Sequence, residues 1–388
     1  MGSPDVIVVG LGAVGSAVAH HLARRGVRVV GLDRWRPPHD QGSSHGRTRI
    51  TRLAVGEGAA YVPLVLRSHQ LWQELEDQGH PGLYRRTGGL LIASPTADTG
   101  VFHGQAGFFE RTVALARQFG IAHELLDAAA VRERHPQFLM QDEEQAYFEP
   151  DAGVLAPESC VAAQLAAASR HGAEISYGEQ LLSMSASAGG ITLKTSHCTR
   201  HAAQVVLAAG AWIPGLAGAP FAPRLAVQRQ VLHWFRCTEP ARWAASPVFI
   251  WLHGSTLEEA MYGFPLGDGV EGVKVATEQT RLCCDPDAVD RCVSDAEVRA
   301  MVEGHLRGRL TGVGPESVAT ATCLYTSTAS GHFIVDRHPE MPQLTVVSAC
   351  SGHGFKHSAG LGEAVAQQVL GQTPHTPLAP FALARSWP

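Results

Sequence analysis

The first 33 residues constrain this chain more than any other stretch. Val6-Ile7-Val8-Val9 is an unbroken apolar run, and Gly10-Leu11-Gly12-Ala13-Val14-Gly15 follows at once. A β-branched run of this kind, bounded by glycine, predicts a strand buried on both faces. A helical segment then extends to about Arg25, with Gly26 as its stop. Residues 27–32 form the second predicted strand, and Asp33 closes it. Strand, GxGxxG turn, helix, strand and terminal acid make one complete βαβ unit. Each part has a physical task. Gly10, Gly12 and Gly15 let a pyrophosphate approach the backbone, the helix N-terminus offers free N–H groups, and Asp33 can accept from ribose hydroxyls. A dinucleotide is therefore expected, with NAD and FAD both open.

A chain of 388 residues allows two or three domains. Hydrophobic residues at 45% and charged residues at 17% exclude wholesale disorder. The net charge of −5 suggests no nucleic-acid partner. Residues 6–19 are uncharged and end in Ala17-Val18-Ala19, like a signal-peptide core, but Asp5 precedes them and no basic leader does. Residues 205–222 are also uncharged, yet Gly210, Pro214, Gly215, Gly218 and Pro220 interrupt them. A strand running into a loop is expected there rather than a membrane span. The reading is a cytoplasmic protein without membrane attachment. Its eight cysteines contain no CxxC and no zinc spacing with histidine, so thiols and no metal site are expected.

Beyond Asp33 the chain reads as irregular to about Arg47. Helices are predicted over 63–78, 112–119, 159–171 and 358–370, and strands over 88–93, 205–210 and 344–349. Residues 220–320 alternate in an antiparallel manner. Neither a repeat nor a low-complexity linker appears, so the domains are expected to interleave.

Four constellations can carry chemistry. In Gly42-Ser43-Ser44-His45-Gly46-Arg47-Thr48-Arg49-Ile50-Thr51-Arg52, three arginines and a histidine create a local positive field. It suits an anionic cofactor edge or a substrate carboxylate as well as it suits a solvated basic loop. The same stretch matches GxSxG at Ser44, but that nucleophile motif needs a strand leading in, and a Pro-Pro loop leads in here. Lys274 falls in an apolar strand-like setting, where a head that snorkels to water is the plainer reading. Cys323 in Cys323-Leu324-Tyr325-Thr326 reads first as a buried thiol. Ser351-Gly352-His353-Gly354-Phe355-Lys356 is a turn between strand and helix, able to offer N–H groups and two basic side chains.

Taken together, these residues resemble the monomeric sarcosine oxidase and N-methyltryptophan oxidase family of FAD-dependent amine oxidases, in the DAO superfamily. The resemblance runs nearly end to end. It includes GxGxxG, the Pro-Pro-His loop, Gly-Ser-Ser-His-Gly before Thr48-Arg49, and Gly56-Glu57-Gly58 before Tyr61-Val62-Pro63-Leu64. It continues through Tyr262-Gly263-Phe264-Pro265, Cys323-Leu324-Tyr325-Thr326, His332-Phe333-Ile334-Val335-Asp336 and the turn from Ser351 to Lys356.

The resemblance implies an α/β fold, with a Rossmann-type FAD-binding domain and a mixed-sheet substrate domain interleaved with it. The implied division is 1–85, 150–218 and 322–388 for FAD, and 86–149 and 219–321 for substrate. It implies FAD held covalently through Cys323, with Gly10, Gly12, Gly15, Asp33, Ser44, Gly352 and Gly354 around the cofactor. Lys274 would promote the reaction with oxygen by stabilising developing superoxide. Arg52 and Lys356 would hold the substrate carboxylate. His45 and Arg49 would lie beside the flavin ring, and Tyr262, Tyr325 and His353 would line the substrate pocket. The implied reaction oxidises a secondary-amine amino acid to an imine and reduces O2 to hydrogen peroxide, in a monomer. Two positions depart from the family. Arg47 stands where relatives carry Asp, and Glu278 aligns best with a histidine near the flavin. The amine is thus open between an N-methyl amino acid, sarcosine or bulkier, and a cyclic one such as proline or pipecolate. Rival readings are a flavin-dependent dehydrogenase with another acceptor, an NAD-linked enzyme, a serine hydrolase using Ser44, and a non-catalytic flavin-binding module.

Overall fold

The computed structural model describes residues 3–384, so the outermost ends of the implied FAD-binding segments lie outside the described residues. The apolar run Val6–Val9 (β1) is fully buried and pairs in parallel with Val29–Asp33 (β2) on one side and Gln204–Leu207 on the other. They belong to a six-stranded sheet ordered Glu174–Tyr177, β2, β1, Gln204–Leu207, Met341–Ser348, Ile334–His338. Only the last of these pairs antiparallel. Both faces of β1 are covered, which explains why its sequence is continuously apolar. On one face lie Ala13–Ala23 (α1), Val62–Asp77 (α2) and the C-terminal helix Ser358–Val369, whose apolar residues join Val6 and Val8 in one cluster. The α1 crossing is close, because a Cβ on Gly362 would meet Ala17 Cβ at 2.3 Å. Against the other face, Leu181, Ile191 and Leu193 of a three-stranded antiparallel sheet pack on Ile7, Val9 and Leu32.

A second, eight-stranded sheet runs Val313–Ser327, Ala226–Cys237, Gly272–Thr277, Ala260–Gly263, Val248–Leu252, Gly89–Ala93, Gln145–Glu149, Glu124–Asp127. It is antiparallel except where Val248–Leu252 meets Gly89–Ala93. Its own core gathers Phe138, Trp243, Phe249 and Trp251. Its two long strands place Cys323 opposite Gln230 and Tyr325 opposite Gln228. A small sheet of Arg49–Thr51, Gly153–Leu155 and Tyr84–Arg86 ties down the end of the basic loop.

Most predicted elements are present with shifted ends. The helix expected from Thr112 begins a turn earlier, as Phe108–Gln118, because Phe108 and Phe109 are themselves buried. Asp33 belongs to β2 rather than following it. Residues 205–222 are a strand end, a 3-10 turn and the short helix Ile213–Ala217. Among the described residues no helix is long and apolar enough to cross a membrane. The hairpin Val101–Phe102 with Gln105–Ala106 had no sequence signal.

Candidate functional site

The GxGxxG turn opens on a cleft of about 370 Å³ lined by Gly10, Gly12, Asp33, Ser44, Gly352 and Gly354, among others. Gly10 has φ +85°, and a Cβ there would lie 2.6 Å from Ala209 Cα. Gly15 is not part of this lining but packs on the turn, where a Cβ would meet Gly10 O at 1.8 Å. Only glycine serves at either position. The Asp33 carboxylate accepts from Leu11 N at 2.8 Å and Trp35 N at 2.9 Å, which fixes the turn to the end of β2. A carboxylate has about four acceptor positions, so it retains capacity for a ribose. Helix α1 starts at Gly12 without a side-chain cap, and Ser44 Oγ accepts from Ala13 N at 3.1 Å. A helix start whose N-cap is glycine, facing a glycine-lined cleft, fits a pyrophosphate. Ser44 has neither a strand before it nor a helix after it, so the GxSxG match is not a nucleophile elbow.

Further along the same cleft stands Arg49, donating to Thr48 O at 2.8 Å and Ser43 O at 2.7 Å. His45 is buried, and its Nε2 finds no protein partner. Burial first, then the Arg49 guanidinium, pull its pKa down to about 3, so the imidazole is neutral. Lys274 is 1% exposed and its head does not reach water. Nζ donates to Gly46 O at 2.6 Å, Thr48 Oγ1 at 3.0 Å and Thr48 O at 3.1 Å, using all three ammonium donors. It also lies 4.7 Å from the centre of the Phe264 ring. Burial and then Arg49 push the lysine well below its usual range. Cys323 is equally buried, in an apolar group with Leu232, Tyr325 and Cys350. Burial raises its thiol, while Arg49 and Lys274 oppose the rise.

Arg52 and Lys356 come together on a carboxylate that local sequence reasoning had given no role. Arg52 donates to Glu57 Oε2 at 3.2 Å, and Lys356 donates to Glu57 Oε1 at 3.1 Å and to His353 O at 3.0 Å. All three side chains are nearly inaccessible. Burial works to raise the Glu57 carboxyl, but Lys356, Arg52 and His353 together hold it well below the usual range. His353 Nε2 donates to Gly331 O at 2.8 Å, its ring stacks on Phe333, and Nδ1 is left without a hydrogen-bond partner. The hydroxyls of Tyr262 and Tyr325 are 3.4 Å apart, and both tyrosines lie within electrostatic reach of Glu278, as Lys356 does. The cluster thus sets two buried cations near aromatic side chains, a set suited to a carboxylate with an apolar body.

The two departures separate in space. Arg47, at φ +69°, is exposed and engages Asp268 O and the Glu158 carboxylate. Glu278 lies within electrostatic reach of Glu57 and Lys356, with Oε1 3.4 Å from His103 Nε2. Sequence reasoning missed His103, which sits at φ +50° in the tip of the unpredicted hairpin.

Residues 5–368 match the sequence family described as FAD dependent oxidoreductase. The chain is 38% identical over 385 residues to a monomeric sarcosine oxidase of Streptomyces avermitilis, covering 97% of this chain and 96% of that protein. It is 32% identical over 385 residues to an N-methyl-L-tryptophan oxidase of Salmonella typhimurium, covering 98% of each. Among solved structures it resembles NikD, an unusual amino acid oxidase essential for nikkomycin biosynthesis, with TM-score 0.82, 24% identity and 98% of each chain covered. It also resembles L-proline dehydrogenase from P. horikoshii, with TM-score 0.79, 19% identity and 98% and 96% covered. These two structural likenesses speak to the fold.

Proposed function

This chain belongs to the monomeric sarcosine oxidase and N-methyltryptophan oxidase family of FAD-dependent oxidoreductases, and on that premise we propose that it oxidises a secondary-amine amino acid at the carbon beside nitrogen. The observation that carries the reading is the convergence of Arg52 and Lys356 on one buried cluster beside the Gly352–Phe355 turn, which itself lines the nucleotide cleft. In this reading residues 1–85, 150–218 and 322–388 hold the cofactor, and 86–149 and 219–321 roof the substrate. The strand Val313–Ser327 spans both.

The Gly10-Gly12-Gly15 turn receives the pyrophosphate, Asp33 the ribose, and Ser44, Gly352 and Gly354 the adjoining edges. With FAD bound, the site would have a two-electron acceptor for the substrate C–H bond and a route for those electrons to reduce O2 to hydrogen peroxide. Arg52 and Lys356 clamp the substrate carboxylate and so orient the carbon beside nitrogen. Tyr262, Tyr325 and His353 wall the amine and exclude water from it. His45 and Arg49 border the ring system, and the Lys274 ammonium stabilises negative charge developing on dioxygen. The imine product then hydrolyses in water. The protein works as a cytoplasmic monomer in this reading.

Aerobic peroxide release, measured against a panel of N-methyl and cyclic secondary amino acids, tests the activity. Turnover only with an artificial acceptor and no peroxide would overturn the oxidase reading. Covalent attachment is tested separately. Acid-precipitated wild type should keep its yellow flavin and show its mass on the Cys323 peptide, whereas Cys323→Ser should release all of it. A wild type that precipitates colourless would rule the thioether out.

A further inference from the structure

Glu278 is placed in a way that the carboxylate clamp does not use. Its backbone is pinned, because Gln230 exchanges two hydrogen bonds with residue 279, at 2.6 and 2.8 Å, and Gln228 donates to Thr280 O at 2.7 Å. Its carboxylate lies against the Gly352 turn, where a Cβ would stand 2.5 Å from Oε2. The side chain is 15% exposed, and no described residue donates a hydrogen bond to either oxygen. A largely enclosed carboxylate whose one neighbouring donor, His103 Nε2, stands off at 3.4 Å keeps acceptor capacity for a ligand.

The other groups facing that volume are already committed. His103 approaches from the hairpin, with Nε2 3.4 Å away. Lys356 and Glu57 lie within electrostatic reach, and they are bonded to each other. Tyr262 and Tyr325 face it from the sheet, with their hydroxyls paired. His353 spends its Nε2–H on Gly331. Of the two acids in this cluster, Glu57 is held between cations, and Glu278 accepts no hydrogen bond from a described residue.

A secondary amino acid arrives in water as a zwitterion, and its ammonium has no lone pair to assist C–H cleavage. We propose that Glu278, braced by His103, is the proton acceptor that converts the bound ammonium to the free amine. The N–H bond breaks, its electron pair stays on nitrogen, and the proton forms an O–H bond on the carboxylate. No electrons leave the substrate in this step. Support comes from the contrast between the two acids: Glu57 is held low, whereas burial raises Glu278 above the usual carboxylate value, against the opposing pull of His103. Environments that push two carboxyls apart assign one as fixed anion and the other as proton carrier. The cations of the clamp act on the other partner, making the ammonium easier to deprotonate.

This inference rests on the amino acid oxidase reading, and the test separates the two. In the flavin-loaded enzyme, Glu278→Gln should lower kcat/KM for an accepted secondary amino acid by about tenfold to a hundredfold near pH 7. The deficit should close to within about threefold near pH 10, where free amine is abundant. Glu278→Asp should keep most of the neutral-pH activity. His103→Gln should shift the acidic limb upward by a smaller amount, and it serves if the Glu278 variants fold poorly. Binding of methylthioacetate, a carboxylate without an amine, followed by flavin absorbance, should be unchanged in Glu278→Gln. A deficit equal at all pH values, an unaltered profile, or an equal loss of methylthioacetate affinity would overturn the proposal. Wild type that oxidises no secondary amino acid would overturn the functional reading and this inference with it. Wild-type turnover with a parallel Glu278→Gln profile overturns this inference alone.

Discussion

Replacing Lys274 by methionine is expected to slow reoxidation of the reduced enzyme by O2 by about a hundredfold to a thousandfold, the range lost when one preorganised charge donor is removed from a dry site. Anaerobic reduction by substrate should stay within about threefold of wild type, because the lysine touches the 46–48 loop and not the clamp. Methionine fills the volume but leaves Gly46 O, Thr48 O and Thr48 Oγ1 without their donor. One such loss costs about 1–3 kcal/mol. Removing a fully buried ammonium relieves desolvation in the opposite direction. The fold should therefore survive with a lowered Tm, while the rate effect corresponds to about 3–4 kcal/mol in the transition state. The pH dependence has a definite sign. Burial and Arg49 depress the lysine, so its charge is lost as pH rises through the lowered pKa. Wild-type reoxidation should fall along that limb, and the variant should show no such fall. Stopped-flow mixing of reduced enzyme with oxygen reads both effects. A variant that reoxidises like wild type would remove the role assigned to Lys274.

The nucleotide half of this site was legible because its physics is local. A buried strand, a glycine turn, a helix and a terminal acid follow one another, and each declares itself by residue type. Even there, Asp33 holds more than its position suggested, since its carboxylate also fixes the turn through Leu11 and Trp35. Lys274 could not be resolved by pattern, because a lysine between valines reads equally well as a head reaching water. Which it is depends on the 46–48 loop lying over that strand, a contact 228 residues distant in sequence. The clamp is still less local. Glu57 and Lys356 are 299 residues apart, and nothing near Gly56-Glu57-Gly58 announces a partner in the 3-10 turn before the C-terminal helix. His103 had no signal of any kind, since it depends on a left-handed backbone in a hairpin of two-residue strands. Family resemblance supplied Arg52 and Lys356 as a pair, but not the carboxylate that already binds them.

That carboxylate shapes the second large effect. Arg52→Ala is expected to raise KM for the amino acid substrate by about a hundredfold, equivalent to about 2.7 kcal/mol, near the upper end for a charge-assisted pair. Glu57 takes only part of the donor capacity of the two cations, so a substrate carboxylate can use the rest. Arg52 has five N–H donors, of which one holds Ala54 O at 2.7 Å and another Glu57 at 3.2 Å. Lysine has one charged centre and no fork, so Arg52→Lys should recover only part of the affinity. Removing the arginine also leaves Glu57 with Lys356 as its principal cation. Taking one partner from a buried pair costs about 3–5 kcal/mol, and the remaining lysine reduces that figure here. A drop in Tm is therefore expected beside the kinetic effect, and the two must be separated. The separation comes from methylthioacetate, whose dissociation constant should rise in proportion to KM, since it presents the same carboxylate. Lys356 and Arg52 hold the Glu57 carboxyl well below its usual range, so protonation of Glu57 should not loosen the wild-type clamp near neutral pH. A KM and a methylthioacetate affinity both unchanged in Arg52→Ala would show that the substrate carboxylate is held elsewhere.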